Sequence, residues 1–150
     1  MTDFALPVDL VFHRGLVADP EALAREHAAA SWLFLCGEEF AAMEGGLSYA
    51  RVAAAVAQSE NIVSDPPRVL DLARARRIVA ALDRLPRPTL VTCRRGPRSS
   101  AMVYLYAALR AGATADEALA RADADAAPFA ADPDLRAFVT SALAALAAER

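Results

Sequence analysis

The sequence predicts a three-layer α/β domain in which a small, mainly parallel sheet lies between helices. Two observations predict this architecture. Short apolar segments alternate with longer segments of helical periodicity, and such alternation is typical of parallel strands with helices on both faces. The length of 150 residues fits one domain with a single core. We therefore interpret residues 1–150 as one domain.

The first half of the chain predicts strands that alternate with short helices. Val8–Phe12 is an apolar strand, and Asp19-Pro20 opens a helix because aspartate is a favoured N-cap and proline fits the first turn. The run Trp32–Cys36 predicts a buried strand that ends at Gly37. The remaining predicted segments are a loop over Glu38–Gly46, a short helix over Tyr49–Ala57 and a weak strand over Asn61–Val63.

The second half predicts a longer helix, a fourth strand and further helices. Asp65-Pro66 repeats the helix-opening signal, and the apolar positions after it are spaced as in an amphipathic helix. Thr89–Cys93 predicts a strand. From Ser99 or Ser100 the pattern is helical up to Gly112, where glycine accommodates a left-handed cap. The last helices are predicted at a capping box, Thr114 with Glu117, and at Asp132-Pro133.

Composition argues against several classes of protein. The formal charge is −3 and all 16 basic residues are arginine, which indicates composition bias and no general nucleic-acid surface. No apolar run approaches the roughly 20 residues of a membrane helix, and no leader segment is recognisable, so we expect a cytoplasmic protein without membrane contact. Two cysteines and two histidines without zinc-site spacing predict neither a structural metal nor a disulfide, and no cofactor is expected.

The segment Cys93–Ser100 carries the strongest chemical signal. A cysteine that ends a buried strand and is followed by a glycine-containing turn into a helix lies beside several backbone N–H groups and the positive helix end. Such a turn is an anion-binding loop with a nucleophile at its base. The helix end and Arg98 both favour thiolate over thiol. We therefore expect Cys93 to be the nucleophile and Arg98 to hold an oxyanion with two hydrogen bonds.

The other residues of this segment are expected to bind the substrate. Gly96 permits a tight turn, and the hydroxyls of Ser99 and Ser100 can cap the helix or donate to the thiolate. The complete predicted binding set is Arg94, Arg95, Gly96, Pro97, Ser99 and Ser100. The alternative is a buried core thiol among arginines that reflect only the composition bias.

The run Cys93-Arg94-Arg95-Gly96-Pro97-Arg98-Ser99 resembles the active loop of the phosphatase-like domain of beta-lactamase-hydrolase-like proteins. That bacterial family has a dual-specificity-phosphatase fold and is also labelled as sulfur transferases. The resemblance extends as element order over about residues 1–125, with a specific match in the loop alone. It implies a cysteine-phosphatase-like fold, with Cys93 as nucleophile and Arg98 as anion clamp.

Two departures from the phosphatase pattern bear on the chemistry. Protein tyrosine phosphatases usually carry histidine before the cysteine, where this chain has Thr92, and arginine six positions after it, where this chain has Ser99. The position of Arg98, five after the cysteine, matches rhodanese-like sulfurtransferases. A shorter loop surrounds a smaller group, so this spacing favours a sulfur atom over a phosphoryl group.

The function predicted from the sequence is therefore sulfur (persulfide) transfer, with a small-molecule persulfide or thiosulfate as substrate. Two alternatives stay open. One is a tyrosine or dual-specificity phosphatase that acts on a phosphorylated substrate through a phosphocysteine. The other is a non-catalytic module that binds an anion. The oligomeric state is not predicted.

Phosphoester cleavage also needs an acid to protonate the leaving oxygen. Asp65 lies 28 residues before Cys93 and is the predicted acid, with the helix cap described above as its alternative role. Glu38 and Glu39 follow the second strand and are expected at the same edge of the sheet, where they are either acids or solvated loop residues. Cys36 ends that strand and is either a resolving thiol or a buried core residue.

Overall fold

The computed structural model describes residues 4–149 and contains one sheet of four parallel strands in that range. The strands are β1 (Leu10–Phe12), β2 (Ser31–Phe34), β3 (Gln58–Asn61) and β4 (Thr89–Thr92). Their order across the sheet is β1-β4-β2-β3. The predicted α/β class with a small parallel sheet is confirmed. All three strand pairs are parallel.

Helices connect the strands and extend beyond the last one. They are α1 (Pro20–Glu26), α2 (Glu38–Ala41), α3 (Tyr49–Ala55), α4 (Leu72–Arg84), α5 (Pro97–Ala111), α6 (Ala115–Ala124), a short 3-10 helix (Pro128–Ala131) and α7 (Pro133–Ala148). The chain runs from β1 through β2 to β3 in one direction and then returns to place β4 between β1 and β2. Because parallel crossovers are right-handed, this reversal puts α1 and α3 on one face and α4 on the other.

The contacts between elements agree with this division into layers. On one face α3 packs against β2 and β3, with α1 beside it. On the other face α5 packs against β1 and β4 and is itself covered by α4, α6 and α7. Because α5 lies between the sheet and these helices, its side chains are buried on nearly every side. The core therefore holds α5 in place, with four residues between the end of β4 and its N-terminus.

Most of the predicted helix ends are confirmed because their signals are local. The side chain of Asp19 accepts a hydrogen bond from the Ala22 amide at 3.0 Å and caps α1. Thr114 forms the predicted capping box at α6, and Asp132 caps α7. Gly112 ends α5 in the left-handed region, with φ of 71°.

Three predicted elements are wrong in type or position. The segment at Asp65-Pro66 does not open a helix, because α4 begins at Leu72 with Asp71 as its N-cap. A proline disfavours the helical conformation of the residue before it, and two successive prolines extend that effect over two positions. The weak strand predicted over Asn61–Val63 lies three residues earlier, as β3 over Gln58–Asn61. This strand is polar because it lies at the edge of the sheet and pairs with β2 alone. The predicted loop after β2 contains the short helix α2.

Within residues 4–149, no helix has both the length and the apolar character that crossing a membrane requires.

Candidate active site

The carboxyl ends of the four strands meet at one edge of the sheet. In open α/β sheets, ligands bind at this edge, where the direction of winding reverses. Here the reversal falls at β4, which lies between β1 and β2. Cys93 is the first residue after β4, so the topology places it at the centre of this edge.

Cys93 lies at the base of the segment Cys93–Ser100, referred to below as the Cys93 loop. The Gly96 amide donates to the Cys93 Sγ at 3.2 Å, and the Ser99 amide donates to it at 3.4 Å. The Ser99 hydroxyl lies 3.5 Å from the same sulfur. Two backbone donors that converge on one atom form an anion-binding site. Cys93 itself is only 4% exposed. The loop therefore encloses the sulfur with groups that stabilise negative charge.

Gly96 is required by both the conformation and the packing of this loop. Its backbone φ angle is +119°, a conformation that residues with a Cβ rarely adopt. A Cβ at this position would lie 2.8 Å from the carbonyl oxygen of His13 and 3.2 Å from the Cγ of Pro128. The segment after β1 and the 3-10 helix thus press against the turn that directs its amide at the sulfur.

The two serines of the loop make different contacts. The Ser99 hydroxyl also donates to the carbonyl oxygen of Gly96 at 3.1 Å, so it stays close to both the turn and the sulfur. The Ser100 hydroxyl donates to Pro97 at 2.9 Å and accepts from the Phe129 amide at 3.1 Å. Ser100 therefore joins the loop to the 3-10 helix, whereas Ser99 belongs to the surroundings of the sulfur.

The three arginines of the loop lie in different environments. Arg94 donates from Nε to the Asp65 carboxylate at 3.1 Å and from Nη2 to the Pro66 carbonyl oxygen at 2.9 Å. Arg95 is exposed, and its carbonyl oxygen accepts from the Gly15 amide at 2.7 Å. Arg98 is half-buried in the first turn of α5, and its side chain forms no hydrogen bond or ion pair to residues 4–149. Its guanidinium is the one of the three that is both partly sheltered and unpaired in this range.

Asp65 is buried beneath the edge of the sheet and is not a helix cap. Its Oδ1 accepts from the Gly37 amide at 2.9 Å, and its Oδ2 accepts from Arg94. Arg68 lies 3.6 Å from Oδ1, and the residue is 0% exposed. Asp65, the predicted acid, thus contacts the Cys93 loop through Arg94. Both of its carboxylate oxygens already accept hydrogen bonds from protein groups.

Cys36 and the two glutamates lie at the neighbouring end of β2. Burial raises the pKa of the Cys36 thiol far above its usual range, and the nearby negative charges of Cys93 and Asp65 add to this effect. Glu39 pairs with Arg68, whose hydrogen bonds lower the pKa of that carboxyl. Glu38 and Cys36 both line a cavity of about 410 Å³ between β2, α2 and α3.

Sequence reasoning missed two residues that organise this edge. Arg68 joins Glu39 to Asp65, but nothing in the sequence distinguishes it from the other arginines. Asn61 donates from Nδ2 to the carbonyl oxygens of Phe34 and Cys36, both at 2.9 Å, and so holds the end of β2. A polar residue at the end of a strand is a recognisable but unspecific signal for such a role.

Several solved structures share this arrangement of elements, and phosphatases are among them by name. The chain superposes on Tk-PTP in the active form with a TM-score of 0.71 and 15% identity, covering 95% of this chain and 97% of that one. A candidate phosphatase from Neisseria meningitidis Z2491 matches with a TM-score of 0.68 and 16% identity over 94% and 99% of the two chains. PTPMT1 in complex with PI(5)P matches with a TM-score of 0.61 and 16% identity over 91% and 90%.

These likenesses establish that the chain has the cysteine-phosphatase fold, as the resemblance of its loop implied. No protein-family model matches the sequence, and no curated protein matches it. The finer expectations, a beta-lactamase-hydrolase-like family and rhodanese-like chemistry, find no support among the matches.

Proposed function

We propose that this chain is a cysteine-dependent phosphatase that hydrolyses a phosphomonoester through a phosphocysteine. The observation that carries the proposal is the pair of amides, from Gly96 and Ser99, directed at the Cys93 Sγ at 3.2 and 3.4 Å. N–H groups aimed at a sulfur stabilise its thiolate form, which is the nucleophile. In a phosphatase fold, a thiolate held in this way is placed to attack phosphorus.

Arg98 is the proposed clamp for the phosphoryl group. Its position in the first turn of α5 supports this role, because a fork of donors there is close in sequence to the loop amides, and it has no ion pair within residues 4–149 that would compete with a substrate. Negative charge on the phosphoryl oxygens would then be held by fixed donors, which is the largest contribution in most reactions of this kind.

The fold comparisons favour a phosphoryl group over a sulfur atom. The matched structures include a candidate phosphatase and a PP-IP phosphatase, and PTPMT1 is in complex with PI(5)P. The geometry around Cys93 is compatible with this reading because the sulfur is surrounded by anion-binding amides and the neighbouring thiol is a poor acceptor of sulfur. Burial keeps the Cys36 thiol protonated by raising its pKa, and a protonated thiol is a weak nucleophile.

The proposed reaction has two displacements. In the first, the Cys93 thiolate forms a bond to phosphorus, the bond from phosphorus to the leaving oxygen breaks, and that oxygen takes up a proton from the medium. In the second, water attacks phosphorus, the sulfur–phosphorus bond breaks, and Cys93 leaves as thiolate while water loses a proton to the medium. Arg98 and the loop amides bind the same phosphoryl oxygens in both steps.

Hydrolysis of p-nitrophenyl phosphate tests this proposal. The wild type should release p-nitrophenol, Cys93→Ser should be inactive, and orthovanadate should inhibit by occupying the loop. Cys36→Ala is the matched control and should keep the activity.

Two results would contradict phosphoryl transfer. One is the absence of turnover together with a gain of one sulfur atom on Cys93, seen by intact mass after incubation with thiosulfate. The other is tight binding of phosphate that persists in Cys93→Ser while the wild type turns over no substrate, which would indicate a binding module.

A further inference from the structure

Resting on the proposed phosphatase activity, we infer that Asp65 is a positioning residue of the Cys93 loop that acts through Arg94, and not the acid that protonates the leaving oxygen. The evidence is the set of partners that the structure gives to this carboxylate and to the guanidinium beside it.

An acid that protonates a leaving group must present an oxygen to the substrate within hydrogen-bond reach. Asp65 does not do so. Its Oδ1 accepts from the Gly37 amide at 2.9 Å, while its Oδ2 lies 3.1 Å from the Nε and 3.0 Å from the terminal nitrogen of Arg94. The residue is 0% exposed, so protein groups on all sides separate it from a ligand in solution.

Arg94 transmits the effect of Asp65 because it directly follows Cys93 in the chain. Besides Asp65, its guanidinium donates to the carbonyl oxygen of Pro66 at 2.9 Å and lies 5.7 Å from the centre of the Phe40 ring. These contacts tie the second residue of the Cys93 loop to the segments that follow β3 and β2. The direction in which the backbone leaves Cys93 is thereby fixed.

The same carboxylate also organises the end of β2. Its bond to the Gly37 amide holds the residue that follows Cys36, and Arg68 approaches both Asp65 and Glu39. A Cβ on Gly37 would lie 2.2 Å from a terminal nitrogen of Arg68, so glycine is needed for this close approach. Asp65 is thus a shared anion between two guanidinium groups and one backbone amide, and it connects three strand ends.

A positioning role has a kinetic consequence that differs from an acid role. Misplacement of the Cys93 loop slows attack on every substrate by a similar factor. Loss of an acid slows substrates with basic leaving groups most and removes the basic limb of the pH profile. The two roles are separated by comparing p-nitrophenyl phosphate, which has an acidic leaving group, with phenyl phosphate, which has a more basic one.

The experiment uses Asp65→Asn, Arg94→Gln and the double variant, with Asp83→Asn as a control. Asp83 lies on α4 and forms a half-exposed ion pair with Arg110 in the last turn of α5, at the opposite end of that helix from the Cys93 loop. We expect each single variant to lower kcat by about 10²-fold on both substrates, as for a misplaced reacting group. The basic limb of the wild-type pH profile should remain in both single variants. The kcat of the double variant should be no lower than that of the slower single variant, because the two residues act as one unit. Asp83→Asn should behave as the wild type.

Arg94→Gln keeps the inference falsifiable where Asp65→Asn does not fold, since the Arg94 side chain is partly exposed. Alkylation of Cys93 by iodoacetamide adds a readout that needs no turnover, and it should slow in Arg94→Gln as the loop amides lose their direction. The inference is overturned by an unchanged alkylation rate and kcat in Arg94→Gln. It is equally overturned by loss of the basic limb in Asp65→Asn with a far larger effect on phenyl phosphate. Failure of the phosphatase proposal looks different, because the wild type would then hydrolyse neither ester.

Discussion

Two cysteines follow neighbouring strands at the same edge of the sheet, yet their surroundings differ. Cys93 follows β4 and Cys36 comes shortly after β2, and both are buried, at 4% and 1% exposure. After Cys93 the chain turns through the left-handed Gly96 into the fifteen-residue helix α5, and two amides reach the sulfur. Within residues 4–149 the Cys36 sulfur forms no such hydrogen bond.

The segment after Cys36 uses its backbone for another purpose. The Gly37 amide donates to Asp65 instead of to the sulfur, and α2 is only four residues long. Burial, without compensating donors, raises the pKa of the Cys36 thiol. A position at the end of a buried strand is therefore not enough to activate a thiol, and the proposed function assigns the difference between the two cysteines to the amides that reach the Cys93 sulfur.

Removal of each sulfur in turn should give the largest difference. Cys93→Ser should lower kcat/KM for p-nitrophenyl phosphate by about 10³-fold or more, since the nucleophile is lost. Cys36→Ala should change it little and lower the free energy of unfolding by about 1 kcal/mol for the small cavity left behind. Steady-state kinetics and urea denaturation measure the two effects. Equal losses of activity in both variants would break the comparison.

The turn at Gly96 should be nearly as sensitive as the nucleophile. Gly96→Ala places a Cβ 2.8 Å from the His13 carbonyl oxygen at a φ of +119°, so we expect a cost of about 1–3 kcal/mol and about 10²-fold lower kcat. Gly112→Ala is the matched control, because its φ is +71° with nothing within 4 Å of the added Cβ. Gly112→Ala should lower the free energy of unfolding by about 1 kcal/mol and leave kcat unchanged.

The two thiols should also differ in alkylation. Because burial raises the pKa of Cys36, that thiol stays protonated from weakly acidic to weakly alkaline pH and should not react with iodoacetamide in the folded protein. Cys93 should be carboxamidomethylated, and inorganic phosphate or vanadate should protect it. Peptide mass spectrometry after timed quenching identifies the modified residue. Modification of Cys36 first would show that the amides do not decide reactivity.

The smallest predicted effect concerns the helix that supports the Cys93 loop. The Tyr104 hydroxyl on α5 donates to the Asp125 carboxylate at 2.7 Å, and this bond lowers the pKa of Asp125, with Arg121 adding to the effect against burial. A lowered folded pKa means that the stabilisation is present above the unfolded value of about 4 and is lost as pH falls through the folded value.

Tyr104→Phe should therefore lower the free energy of unfolding by about 1–2 kcal/mol at neutral pH. The loss should be clearly smaller in acid, where the Asp125 carboxyl is protonated. Urea denaturation at both pH values measures this difference. Tyr49→Phe is the control for loss of a neutral hydrogen bond, since the Tyr49 hydroxyl lies 2.9 Å from the Ser59 hydroxyl. A cost for Tyr104→Phe that does not change with pH would contradict the assigned role of Asp125.

The predictions that succeeded rest on short-range signals. Asp19, Asp132 and the pair Thr114 with Glu117 cap helices because a side chain bonds to amides within the next turn. The same logic failed at Asp65, which is also an aspartate before proline. There a second proline follows, and the carboxylate bonds to Gly37 and Arg94, which are distant in sequence.

The amino-acid sequence alone determined the α/β class, most of the helix ends, and the position of a cysteine, glycine and arginine around one strand-to-helix turn. These features depend on residues within a few positions of each other. The tertiary structure decided which amides point at the Cys93 sulfur, which of the loop arginines pairs with a carboxylate in residues 4–149, and where that Asp65 carboxylate binds. Those outcomes depend on which strand ends become neighbours, and that is set by packing of the whole sheet.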